Sequence, residues 1–138
     1  MAEKRILGVD LGDKRTGVAI SDLSGTLAVG LELVEEQGLM KCVKKIADIC
    51  AAHDIGEIVL GYPLNMNGTR GESAVKIEKF KEVLEDMTGI NIILYDERLS
   101  TSLAHVYLNQ TGAKKRREKV DMLAACIILQ DYMDSRKK

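Results

Sequence analysis

The chain has 138 residues, 46% hydrophobic and 30% charged, with twenty basic and twenty-one acidic side chains and a net charge of −1. That length suits one domain over residues 1–138 whose core needs neither disulfides nor structural zinc. No apolar run is long enough to span a membrane, and the balanced charge leaves any attraction to polyanions to local patches.

Residues 1–5 lack the apolar core of a signal peptide, so a cytoplasmic protein is expected. The cysteines, Cys42, Cys50 and Cys126, show no C-x-x-C spacing and lie among apolar residues of expected helices, which reads as buried reduced thiols.

The first element is a β-hairpin. Ile6, Leu7 and Val9 form one β-prone run, Val18, Ala19 and Ile20 a second, and Gly12, Asp13 and Lys14 supply the turn. Asp10 falls at the end of the first run, where it suits a turn cap and a rigidly held metal ligand equally well. Gly8, Gly12 and Gly17 are expected to leave the backbone beside it uncovered. Residues 27–34 read as a third strand, antiparallel to the second.

From Gly38 to His53, Leu39, Cys42, Val43, Ile46, Ile49 and Cys50 recur at three and four. This is an amphipathic helix with Lys41, Lys44, Lys45 and Asp48 outward. Residues 55–62 read as a buried parallel strand, which turns the architecture α/β. The loop 63–71 leaves the carboxyl end of that strand, where α/β sheets bind ligands. Residues 72–88 form a second amphipathic helix, with Ala74, Ile77, Phe80, Leu84 and Met87 on one face and Gly89 as its stop. A fifth strand, 90–95, gives way to charge at Asp96, Glu97 and Arg98. Ser100 can then cap a short helix carrying Leu103, Val106 and Tyr107. Lys114, Lys115, Arg116 and Arg117 form a basic loop before the last helix, 118–135. That helix is apolar enough from Val120 to Leu129 to pack along most of its girth.

Three carboxylates stand out by position: Asp10 ending the first strand, Glu97 ending the fifth, and Asp121 in the first turn of the last helix. With a sheet order of 3-2-1-4-5 the first two share an edge that the last helix can cross. Carboxylates gathered among apolar residues are costly unless a cation compensates them. Oxygen-only ligands point to Mg²⁺ or Mn²⁺, and His53 and His105 lie away from the set. Two such ions about 4 Å apart suit phosphodiester hydrolysis. Taken singly, Asp121 equally suits a helix-dipole role and Glu97 an ion pair.

The segments GVDLGDKRTGVAISD (8–22), GYPLNMNGT (61–69), DERLST (96–101) and KKRREKVDMLAACIILQDYMDS (114–135) resemble the signature segments of the YqgF/RuvX family, in the RuvC-like branch of the RNase H-like fold. The resemblance implies a five-stranded mixed sheet with strands 1–3 antiparallel and helices on both faces. It places a catalytic, metal-binding acidic site on Asp10, Glu97 and Asp121. It implies nucleic-acid contacts in the first hairpin (Lys14, Arg15), the loop after strand four (Asn65, Arg70), Arg98, and Lys114, Lys115, Arg116 and Arg117. The implied activity is a nuclease maturing the 5′ end of the small-subunit ribosomal RNA precursor, working on precursor particles as a monomer or homodimer. The alternative is a resolvase of branched DNA.

Departures are Leu103 and Ala104 after DERLST and the lack of an obvious fourth acid, for which Glu118 is a weak candidate. The hairpin also resembles the first phosphate loop of actin and Hsp70 ATPases, but those clamp nucleotide between two such domains and this chain builds one. A noncatalytic nucleic-acid-binding module is the third reading. With no tryptophan, one phenylalanine and four tyrosines, recognition is expected to lean on phosphate contacts and shape.

Overall fold

The computed structural model describes residues 4–12, 15–35, 38–62, 71–96 and 116–136. In chain order these form β1 (Arg5–Leu11), β2 (Thr16–Ser21), β3 (Ala28–Val34), α1 (Leu39–His53), β4 (Ile55–Tyr62), α2 (Glu72–Thr88), β5 (Asn91–Asp96) and α3 (Arg116–Arg136). The strands make one sheet in the order β3-β2-β1-β4-β5. β1, β2 and β3 pair antiparallel, while β4 joins β1, and β5 joins β4, in parallel. The architecture is therefore the RNase H-like one that the sequence implies. No described helix is long and apolar enough to cross a membrane.

The parallel pairing has a geometric consequence. β1, β4 and β5 all end at one edge, the carboxyl edge. Leu11, Thr16 and Val34 lie in one row there, so α1, beginning at Leu39, starts from the same edge. α2 ends beside the start of β5 at the opposite, amino edge, so its first turn also belongs to the carboxyl edge.

The two faces of the sheet are built differently. Alternation sends Leu7, Val9, Val18, Ile20, Ile58 and Leu60 to one face, where they pack with Ile46, Ile77, Phe80 and Leu84 of α1 and α2. The other face carries Ala19 and Val59 under Ala125, Ile128, Leu129 and Met133 of α3. Gly8 and Gly30 flank Ala19 in register, making a row of very small residues. A Cβ on Gly8 would lie 2.8 Å from Leu129 Cβ and 3.0 Å from the Ala125 carbonyl oxygen. α3 thus rests almost on the backbone of β1.

Several boundaries depart from the sequence reading. β5 starts and ends one residue later than expected: Gly89 adopts the left-handed conformation and the Ile90 amide donates to Thr88 Oγ1 at 3.2 Å, so that amide serves the end of α2. Asp96 pairs opposite Tyr62 and extends the strand. β3 begins at Ala28, with the Ala28 amide donating to Gln130 Oε1 at 3.0 Å. α3 begins at Arg116, so Arg116 and Arg117 belong to its first turn rather than to a loop, and Asp121 falls in the second turn. Arginine is a good helix former, and the charge run masked that.

Between Met122 and Leu129 the described side chains of α3 are all buried or half-buried, with Ala124, Ala125, Ile128 and Leu129 buried, and Met133 continues the buried stripe. Met87 is exposed; it lies in the final turn of α2, beyond the core that holds Leu84. The expected short helix around Leu103 lies outside the described residues.

Candidate functional site

Asp10 is the next-to-last residue of β1, half-buried and paired across to Gly17 of β2. Side chains two apart on a strand share a face, so Asp10 shares the α3 face with Gly8. Gly8 and Gly12, however, are not uncovered. α3 covers Gly8, and Gly12 is closed into the hairpin turn by its amide donating to the Arg15 carbonyl at 2.9 Å.

The register of α3 over β1 decides what faces Asp10. α3 runs antiparallel to β1: Ile6 packs into the cluster that holds Met133, and Gly8 meets Leu129 and Ala125. Two residues along β1 advance about 6.7 Å, which α3 covers in roughly four to five residues. Asp10 is therefore level with the turn of α3 that holds Asp121 and Met122. Met122 and Cys126 lie over Gly30 of β3, in register with Ala19 and Gly8, so α3 crosses the sheet obliquely with its earlier turns towards β3.

β5 ends at this edge with exposed Asp96, immediately before Glu97. Glu97 itself lies outside the described residues, as do Lys14, Asn65, Arg70, Arg98, Lys114 and Lys115. Arg116 and Arg117 are backbone positions in the first turn of α3, at the same edge. Arg15 stands beside it too, ion-paired to Glu35 at 3.7 Å.

Among the described residues no group of three histidine, cysteine, aspartate or glutamate side chains gathers to hold a metal. Donor chemistry at the carboxyl edge nonetheless fits a hard cation. Asp10 and Asp96, the described strand-end acids of this edge, offer oxygen alone. The softer donors do not share the face of Asp10: Cys42, 3.5 Å from Thr16 Oγ1, and Cys50 are buried in the core of the α1–α2 face, and His53 ends α1 at the amino edge. Burial pushes the Cys50 thiol up to about 11, so it stays protonated and is a poor ligand.

The amino edge holds a concavity of about 670 Å³, lined by Lys4, Arg5, Gly56, Glu57, Met133 and Arg136. The carboxylate among these described residues is already engaged. Glu57 Oε1 accepts from Tyr132 Oη at 3.0 Å and from Arg136 Nη1 at 2.8 Å. Nearby, Asp22 caps the β2–β3 turn, accepting from the Thr26 amide at 2.8 Å, and that bond leads the causes that lower its pKa. These polar groups bind one another and tie α3 to the sheet. Sequence reading missed them, because Glu57 and Arg136 meet only once the fold is formed.

Residues 4–135 match the family described as RuvX, Holliday junction resolvase. The chain belongs to the RuvX family. Relatives in Ruminiclostridium cellulolyticum, Thermoanaerobacter pseudethanolicus and Clostridioides difficile are 44%, 46% and 43% identical over 94%, 96% and 97% of this chain. The matches cover 94%, 98% and 96% of those proteins, and each is named a candidate pre-16S rRNA nuclease.

Among solved structures, Thermus thermophilus RuvC bound to a Holliday junction aligns over 97% of this chain and 96% of its own, with TM-score 0.62 and 13% identity. The fowlpox virus resolvase with junction DNA aligns over 97% and 99%, with TM-score 0.58 and 15% identity. At such identities the likeness is one of fold. The RuvX chain described here is a hydrolase of the nuclease class that its relatives' names share, and nucleases of the RNase H-like fold generally employ divalent metal ions.

Proposed function

We propose that this RuvX protein cuts phosphodiester bonds at the carboxyl edge of its sheet, with Asp10, Glu97 and Asp121 holding Mg²⁺ or Mn²⁺. The substrate we assign is the 5′ region of the small-subunit ribosomal RNA precursor, and the compartment is the cytoplasm. The observation that carries the reading is the register of α3 on β1, which sets Asp10 level with the turn of Asp121 at the edge where β5 leads into Glu97. One domain of residues 1–138 suffices for such a site.

Divalent ions bound there supply an activated water and charge stabilisation for the leaving oxygen. The residues do the rest. Asp10 sits on a strand buried under α3, so its carboxylate is held by packed backbone rather than by a loop. Glu97 and Asp121 complete an oxygen-only set drawn from a second strand and a helix. Lys14, Arg15, Asn65, Arg70, Arg98, Lys114, Lys115, Arg116 and Arg117 hold the sugar-phosphate backbone across the edge. Arg15 does so alongside its pairing with Glu35.

Purified protein incubated with a labelled ribosomal precursor fragment, an unrelated RNA and a four-way DNA junction tests both reaction and substrate. Metal-dependent cutting of the precursor, abolished by Asp10→Asn, Glu97→Gln or Asp121→Asn, is the expected result. The family's description favours the junction as a second substrate, and cutting of the junction alone would establish that reading instead. Cleavage that persists in Asp10→Asn or in EDTA would overturn the site. Changing Lys114, Lys115, Arg116 and Arg117 together to glutamine should lower the salt dependence of binding by about one unit per lost phosphate contact.

A further inference from the structure

We infer that the nucleic-acid footprint is not confined to the α3 face: the outer surface of α1 and α2, next to the carboxyl edge, is a second phosphate-contacting surface. The inference rests on the proposed function and extends it to the shape of the substrate. It starts from charge placement.

Lys41, Lys44 and Lys45 occupy the first two turns of α1, all exposed, and no acidic residue stands in its first turn. Lys76 and Lys79 are exposed in the first two turns of α2. Of the five carboxylates of α2, Glu82, Glu85 and Asp86 lie in its second half, whose last turn carries no basic residue, and Glu72 and Glu78 in its first. A helix favours the reverse arrangement, because its amino end is positive and its carboxyl end negative. That preference acts within the end turns, where Lys41 of α1 and Glu85 and Asp86 of α2 stand against it.

Local pairing does not neutralise the patch. Lys45 meets Glu32 at 3.5 Å, and Lys81 is paired to Glu85 at 2.8 Å farther along α2. Glu78, between Lys76 and Lys79 in sequence, accepts the Tyr62 hydroxyl and is half-buried. Glu72 is the exposed acid of the first turn of α2. Lys41, Lys44 and Lys79 therefore form the centre of the patch. Lys76 joins it to the strand tips, since it lines a small cavity with Leu11, Gly12, Thr16, Leu39 and Cys42.

Leu11 and Gly12 directly follow Asp10, on the hairpin that divides the two faces. A chain reaching both α3 and this patch must pass the carboxyl edge of the sheet beside Leu11 and Gly12. A lone short strand lying along Asp10 does not cover both surfaces, whereas a duplex or a branch with two arms does. The substrate class that fits is structured nucleic acid with helical segments on both sides of the scissile bond.

The test uses Lys41→Gln/Lys44→Gln/Lys79→Gln in an Asp10→Asn background, so that binding is read without cleavage. A short single strand and a long RNA duplex are titrated over a range of salt. We expect duplex affinity to fall and its log–log salt slope to drop by about two to three units, at about 0.9 per lost contact, with single-strand binding unchanged. Thermal melts should show the triple variant as stable as its parent or more so, since the replaced lysines are exposed and Lys41 leaves a positive helix end. An unchanged duplex slope overturns the inference and marks the patch as a surface for something other than nucleic acid, such as an acidic protein. Equal loss on both ligands also overturns it. Failure of the underlying nuclease reading looks different, because cleavage would then survive Asp10→Asn whatever the lysines do.

Discussion

The two faces of the sheet answer to different demands. On the α1–α2 face large side chains fill a thick core, with Phe80, Leu84, Ile46, Ile58 and Leu60 fully buried. On the α3 face the sheet offers Gly8, Ala19 and Gly30, and the helix comes down onto them. Bulk on one side supplies stability; its removal on the other brings the backbone of α3 close to the strand that carries Asp10. The difference teaches that position, rather than burial, is what the α3 face is built for.

That contrast breaks most visibly at Phe80. Phe80→Ala should lower stability by about 3–5 kcal/mol, as large-to-small changes of aromatic core residues do. Activity per folded molecule should hold, because the cavity opens on the face away from Asp10. Denaturant melts paired with cleavage assays at low temperature check both halves.

Alkaline pH loads the same face through Cys50. Its folded pKa of about 11 lies above the ordinary 9.0. The folded state therefore retains a proton that the unfolded chain has lost, and the stability this confers is complete below pH 9 and lost as pH rises towards 11. The size is about 2–3 kcal/mol. Stability measured at pH 8 and pH 11 should show the fall, and Cys50→Ala should flatten it. Cys126, half-buried on the α3 face, is raised by burial as well, so a residual slope there is expected.

Gly8 sharpens the comparison from the other side. Gly8→Ala places a methyl group against Leu129 and a backbone oxygen, and such overpacking costs about 1–3 kcal/mol. The stability loss should be smaller than at Phe80, yet the activity loss larger. Lifting α3 by a fraction of an ångström moves Asp121 relative to Asp10, and misplacements near 1 Å cost about 100-fold in rate. Equal specific activities for the Phe80 and Gly8 variants would mean that the α3 face has no special positional role.

Much of this fold was legible in the sequence. β4 and α2 stand at the residues expected from the β-branched run 55–62 and the apolar period ending at Gly89. Strand order followed from one hairpin, one further antiparallel strand and two parallel additions. The row formed by Gly8, Ala19 and Gly30 was not legible, because it exists only across strands whose register must be known. For the same reason Gly8 read as open space rather than as a seat for α3. The length of α3 was misread where a charge run concealed good helix formers at Arg116 and Arg117. Of the acidic set, Asp10 has its place on β1 and Asp121 its turn on α3, while Glu97 follows the last described residue of β5.

The account turns on whether Asp10 is held for a metal or for the fold, and thermal melting of wild type and Asp10→Asn in EDTA and then in Mg²⁺ or Mn²⁺ tests this directly. The expected result is that Asp10→Asn melts at or above the wild type in EDTA, since a neutral amide relieves repulsion among the acids. Wild type should then gain melting temperature with the metal and the variant much less, because an ion bound only by the native state stabilises by mass action. An Asp10→Asn protein that melts lower in EDTA, together with a wild type that gains nothing from either metal, would contradict the account.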